Sequence, residues 1–222
     1  MQIISPIQQN ILELWGEPQG STDFYLTGGT ALSYFYLKHR KSNDLDFFTP
    51  SEGIIPDFSN RLEKNLAEKG FVVERRRGLD SFVELFVQKD KQSTIIQLAQ
   101  DSAFRFEPTK TFPGYPNLRV DNLTDIATNK LLALFGRAAL RDFIDVYILV
   151  DKGHFRREDL LEKAKEKDPG FDLYWFGIAL GRIETFLENS SEMALLIEPM
   201  PFEKMSSFFS QWRADVAKEI PS

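Results

Sequence analysis

The segment Asn43-Asp44-Leu45-Asp46-Phe47-Phe48 constrains this chain more than any other. Its apolar residues ask for a strand, and strand side chains alternate between faces with period two. Leu45 and Phe47 therefore point to a core, and Asp44 and Asp46 share the opposite face. Two carboxylates held side by side repel each other, and Asp fits a pleated strand poorly. Either both groups sit at a solvated strand end, or a cation lies between them. The cation that suits the second reading is a hard divalent ion such as Mg²⁺, held by one or two carboxylates together with phosphate oxygens of a substrate.

Upstream, Leu26-Thr27-Gly28-Gly29-Thr30-Ala31-Leu32 reads as a strand end, a double-glycine turn and a helix start capped by Thr30. Glycine permits positive φ and close approach of a ligand, and the free N–H groups of a first helical turn present partial positive charge to phosphate. Alone, such a turn serves close packing equally well. Beside the aspartates it completes a nucleotide site: the turn holds a phosphate tail, and Asp44 and Asp46 carry one or two ions bridging it. Such ions activate an attacking hydroxyl and stabilise a leaving pyrophosphate during in-line displacement.

These motifs fall in a region of alternating helices and strands. The periodicity predicts a helix over Pro6 to Trp15, a strand over Phe24 to Leu26, a helix over Thr30 to Leu37 and a strand over Leu45 to Phe48. A helix over Asp57 to Lys69 follows, then strands over Phe71 to Arg76, Ser81 to Gln88 and Ser93 to Leu98, the last two joined by a hairpin at Lys89-Asp90-Lys91-Gln92. Glu107 to Asn117, carrying Pro108, Pro113, Gly114 and Pro116, reads as a loop between two regimes. Beyond it the pattern is helical: Leu123 to Ala138, Leu140 to Val150, Arg157 to Lys167, Leu173 to Glu188 and Phe202 to Ala217. The expected organisation is residues 1–120 as a nucleotide-site core and 121–222 as a helical domain.

Composition narrows the chemistry. The 222 residues suffice for real cores, and the absence of cysteine excludes disulfides, thiolate nucleophiles and Cys-based metal sites. No signal-like N-terminus and no apolar run of roughly 18 to 20 residues occurs, so a soluble cytoplasmic protein without a membrane partner is expected. The net charge of −6 argues against a surface basic throughout, which leaves local clusters at Lys38-His39-Arg40-Lys41, Arg75-Arg76-Arg77 and Arg156-Arg157, each read as solvated unless beside the site. His39 and His154 read as surface residues. Phe104-Arg105-Phe106, Tyr174-Trp175-Phe176 and Phe208-Phe209 read as core and interface.

Gly28-Gly29-Thr30-Ala31-Leu32 followed by Arg40-Lys41-Ser42-Asn43-Asp44-Leu45-Asp46 resembles the first motif of the AbiEii/AbiGii toxin-like nucleotidyltransferases, within the polymerase-β-like superfamily. Lys130, with Arg137 and then Arg141-Asp142-Phe143-Ile144-Asp145, resembles a second motif of that family. The resemblance covers residues 24 to 150. It implies an α+β fold, a polymerase-β-like mixed sheet with flanking helices followed by a helical C-terminal part. It also implies Mg²⁺ or Mn²⁺, an NTP substrate, an acceptor such as tRNA or other RNA, and a cognate antitoxin. The implied nucleotide-binding residues are Gly28, Gly29, Thr30, Arg40, Ser42 and Lys130, the metal ligands Asp44 and Asp46, and the catalytic set Asp44, Asp46, Lys130, Asp142 and Asp145. The residues themselves leave room for plainer readings. Lys130 lies in the apolar stripe of its helix, an unfavourable place for a lone cation, and either meets a phosphate, snorkels, or pairs with Asp142 or Asp145. Arg141 and Asp145 also have the spacing of an intrahelical ion pair.

The superfamily brings a third carboxylate from a neighbouring strand, where Gln97 stands here. An amide cannot act as a base and is a poorer ligand. Glu84, Asp101, Asp142 and Asp145 are the candidate substitutes. Two alternatives to RNA modification remain: a catalytically impaired nucleotide-binding or interaction protein of the same fold, or a nucleotidyltransferase acting on a small molecule such as an antibiotic.

Overall fold

The computed structural model describes residues 2–220, so Met1, Pro221 and Ser222, at the ends of the two expected regions, lie outside it. The chain forms two compact units, Met1–Leu123 and Thr124–Ser222.

The first unit opens with α1 (Pro6–Leu14), which Ser5 starts by a reciprocal cap: its hydroxyl accepts from the Gln8 N–H, and Gln8 Oε1 accepts from the Ser5 N–H at 2.9 Å. There follow β1 (Tyr25–Thr27), α2 (Gly28–Ala31) running into a π-helical segment Leu32–Leu37, β2 (Asp44–Thr49) and α3 (Ile55–Glu68). Next come β3 (Val72–Leu79), β4 (Phe82–Lys89), β5 (Gln92–Gln100), β6 (Lys110–Phe112) and β7 (Tyr115–Val120). The expected hairpin is present, turning on Asp90 and Lys91, both at positive φ, as a tight two-residue turn demands. The seven strands form one mixed sheet in the order β3-β4-β5-β2-β1-β7-β6, with β2–β5 and β1–β7 parallel and the other pairs antiparallel.

One face of this sheet is the core. Leu26, Leu45, Phe47, Val83, Leu85, Val87, Ile96 and Leu98 are buried there. Trp15, at the end of α1, stacks on Phe47 with ring centres 3.4 Å apart, and Phe58 of α3 stacks on Phe24 at 4.3 Å. Period-two alternation leaves Asp44, Asp46, Phe82, Glu84, Phe86, Ile95 and Gln97 half-buried on the other face.

The second unit contains the rest of α4 (Leu123–Arg137), then α5 (Leu140–Asp151), α6 (Arg157–Lys167), α7 (Leu173–Gly181) and α8 (Phe202–Glu219). Its core is aromatic: Phe143 meets Phe209 edge-on at 4.8 Å, and Phe176 meets Trp212 at 5.5 Å. No helix among the described residues is long and apolar enough to cross a membrane.

Three sequence expectations need correction. Glu107 to Asn117 is not all loop: β6 and the start of β7 occupy it, with the Pro113-Gly114 pair as the turn between them. The helix expected to reach Glu188 ends at Gly181 and continues as a single 3₁₀ stretch, Arg182–Thr185. A Cβ at Gly181 would lie 2.9 Å from Arg213 Nη1, so the glycine there makes room for α8. Tyr174 and Trp175 are 55% and 60% exposed rather than core, and only Phe176 of that trio is buried.

Candidate active site

The turn after β1 and the carboxylates of β2 are brought together by two glycines. Gly28 has φ +69°, and a Cβ on it would come within 2.2 Å of Asp46 Oδ2. The turn therefore touches the Asp46 carboxylate only because there is no side chain. At Gly29 a Cβ would lie 2.7 Å from Arg40 Nη2 and 2.9 Å from Ser42 Oγ, which draws both expected binding residues to the same turn. Thr30 does not cap the helix. Its hydroxyl donates instead to the main-chain carbonyl of Asp44, tying the turn to the strand that carries the aspartates. Gln8 Nε2 donates to the Ser42 carbonyl at 3.0 Å and anchors the connection from below.

His39 and Arg40 are not the solvated surface residues that a basic run suggests; they are 5% and 4% exposed. The ring Nδ1 of His39 lies 3.5 Å from Ser33 Oγ. Lys38 is exposed and turns the chain at φ 52°, so only part of the run meets solvent. His154 is exposed, as expected.

Strand register arranges a polar row on the half-exposed face. Asp46 stands opposite Thr27 on one side and Gln97 on the other, Gln97 opposite Glu84, and Glu84 opposite Arg77. Gln97 donates to Glu84 Oε2 at 3.0 Å. Glu84 is thus two strands from Asp46, roughly 10 Å, with the Gln97 amide between them. Asp101 accepts from the Tyr25 hydroxyl at 2.5 Å and lies four residues beyond Gln97, roughly 13 Å along the strand direction. Neither fills the place of a third ligand beside Asp46. Burial, then the bond to Asp101, hold the Tyr25 hydroxyl above its ordinary pKa.

At the other end of the row is a residue that sequence patterning does not reveal. Asp121 is fully buried, accepts from the Thr27 hydroxyl at 2.8 Å, pairs with Arg105, and its N–H donates to the Leu26 carbonyl at 2.8 Å. It comes directly after β7, so its alternation could be read only by recognising that strand, and the breakers hid it. Among the described residues no group of three or more His, Asp or Glu side chains is arranged to hold a metal ion. Asp44 and Asp46 on one face of one strand are hard carboxylate donors, a set that fits Mg²⁺ or Mn²⁺ completed by substrate oxygens.

The motif residues Lys130, Arg137, Asp142 and Asp145 lie in the second unit, in ion pairs whose carboxylates are buried. Lys130 Nζ meets Asp145 Oδ2 at 2.8 Å, both nearly inaccessible. Asp142 receives both Nε and Nη2 of Arg137 at 2.8 Å in a bidentate fork. Arg141 is exposed. A third pair, Lys167 with Asp125 at 2.9 Å, is not foreseen by the motif, although Asp125 falls on the inward side of α4 and its charge in a helical stripe was the available signal.

A mixed sheet with paired aspartates facing a glycine turn defines a protein of the nucleotidyltransferase fold. The model of the family described as nucleotidyl transferase AbiEii toxin, type IV toxin–antitoxin system, matches residues 11–218. The chain belongs to the AbiEii nucleotidyltransferase toxin family. It is 29% identical over 195 residues, 85% of each chain, to aq_aa25, an uncharacterised protein of Aquifex aeolicus (strain VF5). Two solved structures share the fold. JHP933 from Helicobacter pylori superposes with a TM-score of 0.60 at 21% identity, covering 97% of this chain and 94% of that one. MenT4, a nucleotidyltransferase toxin from Mycobacterium tuberculosis H37Rv, superposes with a TM-score of 0.59 at 15% identity, covering 97% and 83%.

Proposed function

We propose that the chain transfers a nucleoside monophosphate from an NTP to a hydroxyl of an RNA acceptor such as tRNA, with Mg²⁺ or Mn²⁺ held by Asp44 and Asp46. In this reading it acts in the cytoplasm as a toxin restrained by a cognate antitoxin. The observation that carries the reading is the contact between the Gly28 backbone and the Asp46 carboxylate, with Asp44 on the same face. Pairing of Thr27 with Asp46 brings the turn to the strand, and the missing Gly28 side chain leaves the Asp46 carboxylate open to a ligand held by both.

The first-turn N–H groups of α2 bind the triphosphate, where the helix start favours negative charge. Arg40 and Ser42, drawn against Gly29, stiffen the turn from behind and add a cation near the bound phosphates. Asp44 and Asp46 hold the ion, which when bound supplies charge neutralisation for the departing pyrophosphate. The acceptor oxygen forms a bond to the α-phosphorus as the bond to the β-phosphate oxygen breaks, releasing pyrophosphate and the hydroxyl proton. Lys130, oriented by Asp145, is the proposed nucleotide-contacting cation, with Asp142 and its Arg137 fork as support.

The test is incubation with Mg²⁺, each labelled NTP and a tRNA pool. Wild-type protein is expected to label RNA, and Asp46→Asn to lose at least about a hundredfold of that rate, the scale of a lost electrostatic contact to a transition state. Full label transfer by Asp46→Asn removes the assigned role. One observation favours a second reading: Gln97 occupies the strand position opposite Asp46 where a third carboxylate is expected. Mg²⁺-dependent NTP binding in calorimetry without transfer to any acceptor, small molecules included, selects that reading of a nucleotide-binding protein.

A further inference from the structure

The triplet Arg75-Arg76-Arg77 lies on β3, an end strand of the sheet, and is interrupted by a register irregularity between Arg75 and Arg77. In a regular strand these three side chains would alternate in direction, placing only one or two at random on either face. The bulge changes this. Arg75 turns toward α3, where it bonds Glu63 at 2.7 Å, Asn60 at 2.7 Å and Ser59 at 2.9 Å. Arg76 lies over the ring of Phe86 at 3.9 Å, and Phe86 belongs to the half-exposed face that carries Asp46. Arg77 stands opposite Glu84, also on that face. Two consecutive arginines therefore present to the side of the sheet that bears the aspartates. Arg76 has Glu74 only at the outer limit, 4.0 Å, and Arg77 has no ion pair among the described residues.

We infer that Arg76 and Arg77 form a ledge that binds the phosphodiester backbone of a single-stranded RNA acceptor laid across the sheet toward Asp46. This rests on the proposed nucleotidyl transfer and names the surface its acceptor uses. Arg77 stands three strand spacings from Asp46, across β4 and β5, roughly 14 Å, a span that a few nucleotides cover. The chain carries a net −6, and Glu74 and Glu84 share this face, so the exposed guanidiniums of Arg76 and Arg77 are the groups here that can neutralise a polyanion. Between the ledge and Asp46 the half-buried ring of Phe82 offers a stacking surface for an unpaired base, a sequence-tolerant contact that favours a single strand over a duplex, while Phe86 carries Arg76 on its face. Glu84 and Gln97, lying in the path, bring the acceptor and donor groups that meet a ribose 2′-hydroxyl.

The experiment measures fluorescence anisotropy of a labelled oligoribonucleotide and its DNA counterpart with full-length protein, across a series of salt concentrations and without NTP. Arg76→Ala/Arg77→Ala is expected to weaken RNA binding about tenfold and to reduce the slope of log affinity against log salt by about 1.4, two single-strand phosphate contacts. NTP affinity in calorimetry and the thermal midpoint should be unchanged, because both side chains lie outside the core, and Lys69→Ala, a cation paired with Glu17 away from this face, should bind RNA as wild type does. Unchanged RNA affinity and slope in the double variant overturn the ledge. DNA bound as tightly as RNA, or labelling of a protein acceptor that the double variant leaves intact, overturns its assignment to RNA. If wild-type protein binds RNA through the ledge yet neither binds nor transfers any nucleotide, the proposed activity fails while the ledge stands.

Discussion

At Gly28 two effects coincide, a left-handed backbone and contact with a carboxylate, and Gly53 separates them. Gly53 has φ +73° with nothing within 4 Å of where a Cβ would stand, so Gly53→Ala meets backbone strain alone. It is expected to cost about 1 to 2 kcal/mol in chemical denaturation. Gly28→Ala adds a clash with Asp46 Oδ2 and is expected to cost more and to abolish nucleotide binding; equal losses for both would show that the turn does not press on the aspartate. The Asp44–Asp46 pair and the Gly28-Gly29 turn were legible because period-two alternation and glycine's freedom are properties of a few adjacent residues. Burial of His39 and Arg40 was not, since a basic run looks the same whether or not a side-chain-free Gly29 waits to receive its guanidinium. Gln97 was correctly located beside Asp46, whereas the Asp121 contact needs a strand from the far end of the unit.

Among the elements, α4 and α5 are joined by charge in an otherwise apolar setting. Lys130→Met removes the ammonium that pairs with the buried Asp145 carboxylate and is expected to cost about 3 to 5 kcal/mol, as removal of one member of a buried pair does. Lys130→Met/Asp145→Leu should return stability to near the wild-type value, read by urea denaturation. If nucleotidyl transfer stays lost in that restored variant, Lys130 acts in the reaction and not only in the fold. The helices were readable from three-and-four spacing, and α6 begins and ends where the pattern said. β6 and β7 were not, because Pro113, Gly114 and Pro116 are turn formers locally, and only pairing with β6 and β1 secures Tyr115–Val120 as a strand. The end of α7 is likewise set from outside, by Arg213 against Gly181.

Across the whole molecule, buried phenols make the fold sensitive to alkali. Burial is the first cause holding Tyr25 and Tyr36 in the first unit, and Tyr147 in the second, above the ordinary tyrosine value. A raised folded pKa contributes stability that is complete below the unfolded value of about 10 and is lost as pH climbs past it, when only the unfolded chain can ionise. Thermal midpoints should hold steady from pH 8 to 9 and fall beyond about pH 10. Tyr25→Phe should lessen the fall; an unchanged decline in that variant would mean Tyr25 ionises as readily folded as unfolded.

The bond between Thr27 and Asp121 joins residues 94 apart in the chain. The β4–β5 hairpin closes over two residues, whereas this clamp must wait for a loop of most of the first unit, and long closures form late. A chain emerging during synthesis can thus pair β1, β2, β4 and β5 before the Thr27 hydroxyl, next to Gly28, has its Asp121 partner. β7 is the last strand of the first unit to be made, so of the contacts beside the Gly28 turn the Thr27–Asp121 bond is the one fastened last.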